Sequence, residues 1–349
     1  MLAVTTYGER DVRVEDVARP EIEQPADAIV RVTTSALCGS DMHIYHGKIP
    51  AVPDGWIIGH EFCGVVDQIG DGVTGFKTGD RVVSSMYTAC GRCPACIAGD
   101  HRRCPRFAMF GFGRAFGNLQ GGQAEYVRVP LADMTLREIP EGLADESTIF
   151  TGDILATAFT ALREANVDEG DFIAIVGAGP VGQLIAMCAP LFGVARTFII
   201  DIVPERLAEA AAFGAVAIDS TREDARKIIK QQTGGAMCDA VFEAVGNVAA
   251  LETAFGLPRV NGVVAMVGML VDEAFPISAG NAWLRNIKIL PVLGAPFRHR
   301  DELLRLIAAG RIDASSIITD RVPLSDAAEA YRAFDNKEIQ KAVFKVSEQ

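Results

Sequence analysis

The chain has 349 residues, 49% of them apolar, 22% charged and 7% aromatic, with 33 Lys and Arg against 45 Asp and Glu for a formal net charge of −12. That length is more than one hydrophobic core organises, which predicts two domains or three, and the composition excludes both a small disulfide-stapled module and a disordered chain. The acidic balance repels phosphate backbones and argues against sequence-independent nucleic-acid binding.

The N-terminal run MLAVTTYGERDVRVED has no basic stretch followed by an apolar core, so no secretory signal is read there and a cytoplasmic protein is expected. Roughly the first 150 residues combine short β-rich runs with many glycines and lack a regular alternation with helices, which predicts a separate β-rich domain. Within it, Cys38 is followed after 21 intervening residues by His60, in the run Gly59-His60-Glu61-Phe62-Cys63-Gly64. A thiolate, an imidazole and one further donor would leave a position open on a tetrahedral Zn²⁺, the arrangement of a catalytic ion. The third donor has to come from elsewhere in the chain.

Four of the eight cysteines, Cys90, Cys93, Cys96 and Cys104, fall inside one 15-residue window. Disulfides would need an oxidising compartment that nothing else in the sequence implies, and thiolate count alone leaves an iron–sulfur cluster open. Zinc is the preferred reading, and four thiolates would fill its coordination, so this ion would staple a loop and perform no chemistry. Cys63, Cys188 and Cys238 sit among apolar neighbours and read as small buried hydrophobes.

Residues 172–195 carry no charge over 24 positions, enough to span a bilayer on count alone, but Gly177, Gly179, Pro180, Gly182, Pro190 and Gly193 punctuate them. The stretch reads instead as a buried strand, a turn through Gly177, Gly179, Pro180, Val181 and Gly182, and a buried helix that Pro190 kinks or ends early. An acid, Asp201, follows the third glycine by 19 positions at the end of a second strand. Strand, glycine turn, helix and acid together are the dinucleotide-binding pattern: the turn lets a pyrophosphate approach the helix N-terminus, and the acid favours the ribose hydroxyls of NAD over the 2′-phosphate of NADP. Arg206 could meet such a phosphate, stack on adenine or simply lie at the surface. Beyond it, PERLAEAAAFGA reads as a helix ending near Gly214, and strand-like runs at 240–242, 263–267 and 287–290 continue a doubly wound sheet.

The stretch GHEFCGVVDQIGDGVTGFKTGDRV (residues 59–82), the four-cysteine window and the glycine triad together resemble the zinc-dependent medium-chain alcohol dehydrogenases, along nearly the whole chain. The resemblance implies an α/β protein with a doubly wound parallel Rossmann sheet and a β-rich GroES-like catalytic domain. Residues 1–153 would form the catalytic domain, completed by 294–349, with residues 154–293 inserted as the dinucleotide-binding domain and the active site in the cleft between. Two zinc ions per chain follow, one structural and one catalytic. Cys38 and His60 match ligands of the catalytic ion, and Asp153 matches the third, which other members supply as Cys. Glu61 matches a carboxylate able to enter the coordination sphere during ligand exchange, and Asp41 a partner that orients His60. Ser40 and His43 match a proton relay, and Thr157 a position near the nicotinamide.

The activity so implied is reversible hydride transfer between a primary or secondary alcohol and NAD, giving an aldehyde or ketone. A threonine or polyol dehydrogenase on the same scaffold is an alternative, as is a noncatalytic nucleotide-binding regulatory protein, which would have little use for Cys38, His60, Glu61 and Asp153 together. Trp56, Met86, Phe110, Trp283 and Leu293 are candidate pocket walls, with core packing an equal reading for each; an apolar lining would favour aliphatic or aromatic alcohols over polyols. The expected partners are a small-molecule alcohol or carbonyl and further copies of the chain in a homodimer or homotetramer, with neither nucleic acid nor membrane.

Overall fold

Two nine-residue strands, Ala28–Ala36 and Glu61–Ile69, pair antiparallel in a register that sets Ala36 opposite Glu61 and Ser35 opposite Phe62. Cys38 lies two positions past the end of the first strand and His60 one before the start of the second, so this register alone brings both donors to one end of the sheet. The computed structural model in which this is seen describes residues 1–271, 275 and 277–346.

The chain divides into two compact units, Met1–Asp153 with Ala295–Gln349, and Ile154–Gly294. In the first unit the pair extends through Arg81–Ser84 to Leu136–Glu138 on one side, while Ala342–Lys345 and then Asp320–Pro323 add strands on the other. A smaller sheet of Val12–Asp16, Leu2–Thr6 and Trp56–Ile57 lies in the same unit. Val30, Val32, Phe62, Val66, Val82, Phe110 and Val127 form its main core, the alternate positions of strands with one face turned inward.

The C-terminal segment is tied into this unit by buried polar groups as well as by its strand. Arg300 is 2% exposed and donates to the carbonyls of Met134, Thr135 and Leu136, at 3.2, 2.7 and 3.1 Å. Burial pulls its guanidinium down to about 9.

The second unit carries six parallel strands: β1 (Phe172–Val176), β2 (Arg196–Asp201), β3 (Val216–Asp219), β4 (Cys238–Glu243), β5 (Pro258–Met266) and β6 (Lys288–Pro291). Their order is β3-β2-β1-β4-β5-β6, the doubly wound arrangement whose strand order reverses beside β1. Every residue of β1 after Phe172 is buried, as a strand covered on both faces requires. The following helix, Pro180–Cys188, stops two residues before Pro190 and passes into a 3₁₀ turn, Ala189–Phe192, that ends at Gly193 with φ +71°. The proline therefore ends the helix early. No helix among the described residues is long and apolar enough to cross a membrane.

Candidate metal and dinucleotide sites

Asp153 reaches the end of the sheet that carries Cys38 and His60 through a turn that only glycine permits. A Cβ on Gly152 would lie 1.8 Å from the carbonyl oxygen of Ser84, so the absence of a side chain lets the 3₁₀ turn Ile149–Gly152 press against the end of the strand Arg81–Ser84. Met86 N–H closes the contact on the Gly152 carbonyl at 3.0 Å.

The three side chains converge. His60 Nε2 is 3.1 Å and Cys38 Sγ 3.5 Å from Asp153 Oδ2, and the three donor atoms all lie within 4.8 Å of one another. All three residues are buried, at 7%, 1% and 5% exposure for Cys38, His60 and Asp153. Ser40 Oγ stands beside them, 3.3 Å from both Cys38 Sγ and His60 Nε2. On the other edge of the imidazole, Nδ1 is 3.1 Å from Asp41 Oδ1, close enough for strong electrostatic contact although not aligned as a straight hydrogen bond.

The electrostatics of this cluster are those of a cation site. Burial, with the charges of Asp153 and Glu61 adding to it, raises the Cys38 thiol above its ordinary value. For His60 burial works against the imidazolium, but Asp41 and Cys38 outweigh it and push the ring well above the ordinary histidine value. A thiol, an imidazole and a carboxylate this close in a buried place fit one divalent ion of borderline softness, and zinc takes this donor set.

Glu61 is held outside the triad. Its Oε2 pairs with Lys341 Nζ, which also donates to the Leu37 carbonyl at 2.9 Å and lies over the Phe150 ring at 4.9 Å. Burial raises the Glu61 carboxyl to about 7 against the pull of that ammonium, and its Oε1 has no partner among the described residues. Sequence reasoning made Glu61 a metal-side carboxylate; here the buried ion pair keeps it among the neighbours of the three donors. Lys341 was missed, and no local signal marks it: it is an ordinary lysine 304 positions from Leu37.

His43 lies half-buried in the short helix Asp41–Tyr45 that begins after Ser40. Of the candidate pocket walls, Phe110 is fully buried and edge-on to Phe62 at 5.1 Å, so it belongs to the core. Trp283 and Leu293 are 80% and 39% exposed in the second unit. Trp56 is buried within a strand of the small sheet. Met86 is the candidate that adjoins the Gly152 turn, and Phe112, which was missed, sets its ring edge-on to His60 at 5.3 Å.

Cys90, Cys93, Cys96 and Cys104 also bring their sulfurs within 4.8 Å of one another. Cys90 Sγ and Cys96 Sγ are 4.0 Å apart, far beyond a disulfide bond, and all eight cysteines are free. A tetrahedron of Zn–S bonds about 2.3 Å long has edges of about 3.8 Å, which this spacing matches without room for a multi-iron core. Cys104 Sγ accepts from the backbone N–H of Cys90 and Arg106 at 3.2 and 3.3 Å, and Cys93 Sγ from that of Cys96 at 3.4 Å. The backbone N–H of Arg92 is the main cause that lowers the Cys90 thiol to about 6, whereas burial raises Cys96 to about 12.

In the second unit, Gly177 has φ +104° and a Cβ on Gly182 would lie 1.9 Å from the Gly177 carbonyl oxygen, so both are needed for the helix Pro180–Cys188 to start tight against the strand. A Cβ on Gly179 would meet no atom outside its own turn and helix within 4 Å, so the helix start is open there. Asp201 is held by the backbone: its Oδ2 accepts from Ala178 N–H at 2.6 Å, and its Oδ1 from Ile202 and Val203 N–H at 2.7 and 2.9 Å. One acceptor position thus ties the glycine turn to the end of β2, and the others hold the backbone that follows it. Arg206 is half-buried on the helix Pro204–Ala211, and Thr157 is buried on Ile154–Glu164 against Gly294.

The fold and the two donor clusters define a class: an oxidoreductase built from a GroES-like metal-binding part and a Rossmann sheet. The profile described as the alcohol dehydrogenase GroES-like domain matches residues 24–141, and that described as zinc-binding dehydrogenase matches residues 180–309. A zinc-type alcohol dehydrogenase-like protein of Bacillus subtilis is 33% identical, over 97% of each chain. The structure of an alcohol dehydrogenase from Thermus sp. ATN1 superposes with a TM-score of 0.94 at 38% identity, over 99% of this chain and 100% of that one. A zinc-binding dehydrogenase from Sinorhizobium meliloti bound to NADP superposes at 0.87 with 28% identity, over 99% of each chain. The chain belongs to the zinc-dependent medium-chain alcohol dehydrogenase family.

Proposed function

We propose that the protein catalyses reversible hydride transfer between a primary or secondary alcohol and NAD, giving an aldehyde or ketone, NADH and a proton. The observation that carries this reading is the convergence of Cys38 Sγ, His60 Nε2 and Asp153 Oδ2, buried and with a hydroxyl, Ser40 Oγ, beside them. Cys38, His60 and Asp153 would hold the catalytic zinc and the four clustered cysteines a structural one. Bound zinc supplies Lewis acidity that makes an alcohol hydroxyl proton easier to lose, and bound nicotinamide supplies the hydride acceptor.

The chain's own groups have separate tasks. Ser40 Oγ takes the proton and passes it toward His43, whose imidazole can carry it to solvent. Asp41 holds the His60 ring, and Lys341 neutralises Glu61 close to the donors. Phe112 on His60 and Met86 beside Gly152 are apolar, which favours aliphatic or aromatic alcohols over polyols or threonine. The test is metal analysis together with NADH formation over a panel of primary, secondary, aromatic and polyhydric alcohols. Two zinc ions and turnover of the simple alcohols support the reading; an absence of turnover with every alcohol in both directions overturns it.

NAD preference rests on Asp201, with the Gly177–Gly182 turn, Arg206 and Thr157 completing the proposed cofactor contacts. Because the same carboxylate holds Ala178, Asp201→Ala is expected to raise the KM for NAD at least about tenfold, narrow its advantage over NADP and lower Tm. An unchanged NAD to NADP ratio removes the assignment.

A homo-oligomer assembled through the β6 edge is part of the same reading. Trp283 and Leu284 are 80% and 75% exposed, and Ile289 and Leu293, on or beside the open edge strand, are 40% and 39% exposed. An apolar strand edge of this kind is a template for a second copy. Trp283→Glu is expected to shift the species seen by light scattering toward monomer; a wild-type monomer at micromolar concentration contradicts this. A reducing, cytoplasmic setting accompanies the reading, since the four clustered thiols have to stay reduced to hold an ion.

A further inference from the structure

A buried chain of polar groups runs away from the metal donors to the C-terminal part of the first unit, and its polarity can be read without ambiguity. It starts at Asp41. One oxygen, Oδ2, accepts from the backbone N–H of the metal donor Cys38 at 3.0 Å, while the other, Oδ1, faces the ring of the donor His60. A single carboxylate therefore positions two of the three donors, and whatever fixes its rotation fixes both.

That fixing group is Gln123. Its Nε2 lies 3.1 Å from the Ala36 carbonyl oxygen and 3.3 Å from Asp41 Oδ2. Both neighbours can only accept, so the amide nitrogen must face them and the amide oxygen must point the other way. There Gln123 Oε1 is 2.9 Å from the hydroxyl of Tyr331, which must be the donor. Burial pushes the Tyr331 phenol well above its ordinary value, so it keeps the proton it donates. Gln123 and Tyr331 are both completely buried, and Tyr331 comes from the helix Ala327–Asp335, 208 positions further along the chain.

The approach of Gln123 is built into the segment before His60. Gly59 has φ +92°, and a Cβ there would lie 2.3 Å from Gln123 Cγ. The glycine next to the metal donor thus makes room for the side chain that braces Asp41. Every polar atom of Gln123 and the Tyr331 hydroxyl has a partner, so the arrangement has one low-energy setting.

We infer that Gln123 and Tyr331 are positioning residues of the Cys38–His60–Asp153 metal site: they hold Asp41 in the one orientation that serves both Cys38 and His60, and so set how tightly and in what geometry the ion is bound. This rests on the metal reading given above. Outer partners of this kind govern ligand orientation and basicity without touching the ion.

The experiment compares Tyr331→Phe, which removes one oxygen, and Gln123→Met, close in volume but without the amide, with wild type and with Asp41→Asn. Each protein is loaded with Zn²⁺, and release to a pyridylazoresorcinol chelator is followed; separately, Co²⁺ replaces the ion and its visible ligand-field bands are recorded. The cysteine-cluster ion serves as the internal reference, and NADH binding and near-ultraviolet circular dichroism report the fold. Expected are an acceleration of release from the Cys38 site of about 10-fold to 100-fold for Gln123→Met, a smaller one for Tyr331→Phe, shifted cobalt bands in both, and unchanged release from the cysteine cluster. Wild-type release and wild-type bands in both variants, while Asp41→Asn alters them, overturn the inference and leave the metal reading standing. Wild-type protein that binds one ion, with no change on Cys38→Ser, overturns the metal reading itself.

Discussion

On the proposed reading, Cys38→Ser and Asp153→Asn are each expected to lower the zinc content from two ions per chain to one and to reduce kcat/KM for the best alcohol by about a thousandfold or more. The size follows from the contribution of a Lewis-acidic ion, several kcal/mol, with each 1.36 kcal/mol about tenfold in rate. Serine cannot become a thiolate and asparagine carries no charge, so either change leaves a cation facing two donors in a place where all three residues are less than a tenth exposed. Asp153→Cys is expected to keep the ion and much of the activity, because zinc takes a thiolate as readily as a carboxylate. The controls are the cysteine-cluster ion, expected in every variant, and NADH binding, which the proposed reading places in the second unit. Elemental analysis and steady-state kinetics decide the matter, and full turnover of either loss variant with one ion missing would falsify metal-assisted hydride transfer.

The second large effect is on stability. Cys104→Ser removes a sulfur that accepts two backbone N–H groups as well as, in the proposed reading, binding zinc. Around it, Ala89, Cys96 and Cys104 form a small buried cluster, with Phe297 packed on it from the C-terminal segment. Structural zinc sites contribute about 10 kcal/mol or more of local folding energy in isolated peptides, so its loss is expected to unfold the lobe and lower Tm by about 10 °C. Arg102 and Arg103 are then expected to be cut by trypsin faster than in the wild type. One zinc ion should remain at Cys38. A variant that has lost one ion yet keeps the wild-type Tm and trypsin pattern shows that the lobe folds without its staple.

How much of this was legible depends on how far apart the cooperating residues lie. The cysteine lobe was readable because all four sulfurs come from one 15-residue window, where local geometry leaves few options. The glycine turn was readable for the same reason, as was the early end of its helix at Pro190. Spacing marks Asp201 as an acid at the strand end, but the three backbone N–H groups it holds follow only from the fold. Phe110 and Trp283 were proposed alike as pocket walls, and the structure puts one in a core and the other at a surface, a difference that apolarity cannot encode.

By itself, the sequence determined the two-part architecture, the identity of the metal-type donors and the family, because these follow from residue types at short, fixed spacings and from patterning that each strand and helix imposes locally. The tertiary structure alone decided which distant groups stand around those donors. The pairing of Ala36 with Glu61, the contact of Gly152 with Ser84, and the arrival of Gln123, Tyr331 and Lys341 from far along the chain are choices of register and packing. A glutamine, a tyrosine and a lysine carry no mark of such roles until the chain is folded, since their function lies in the one polar partner that burial leaves each of them.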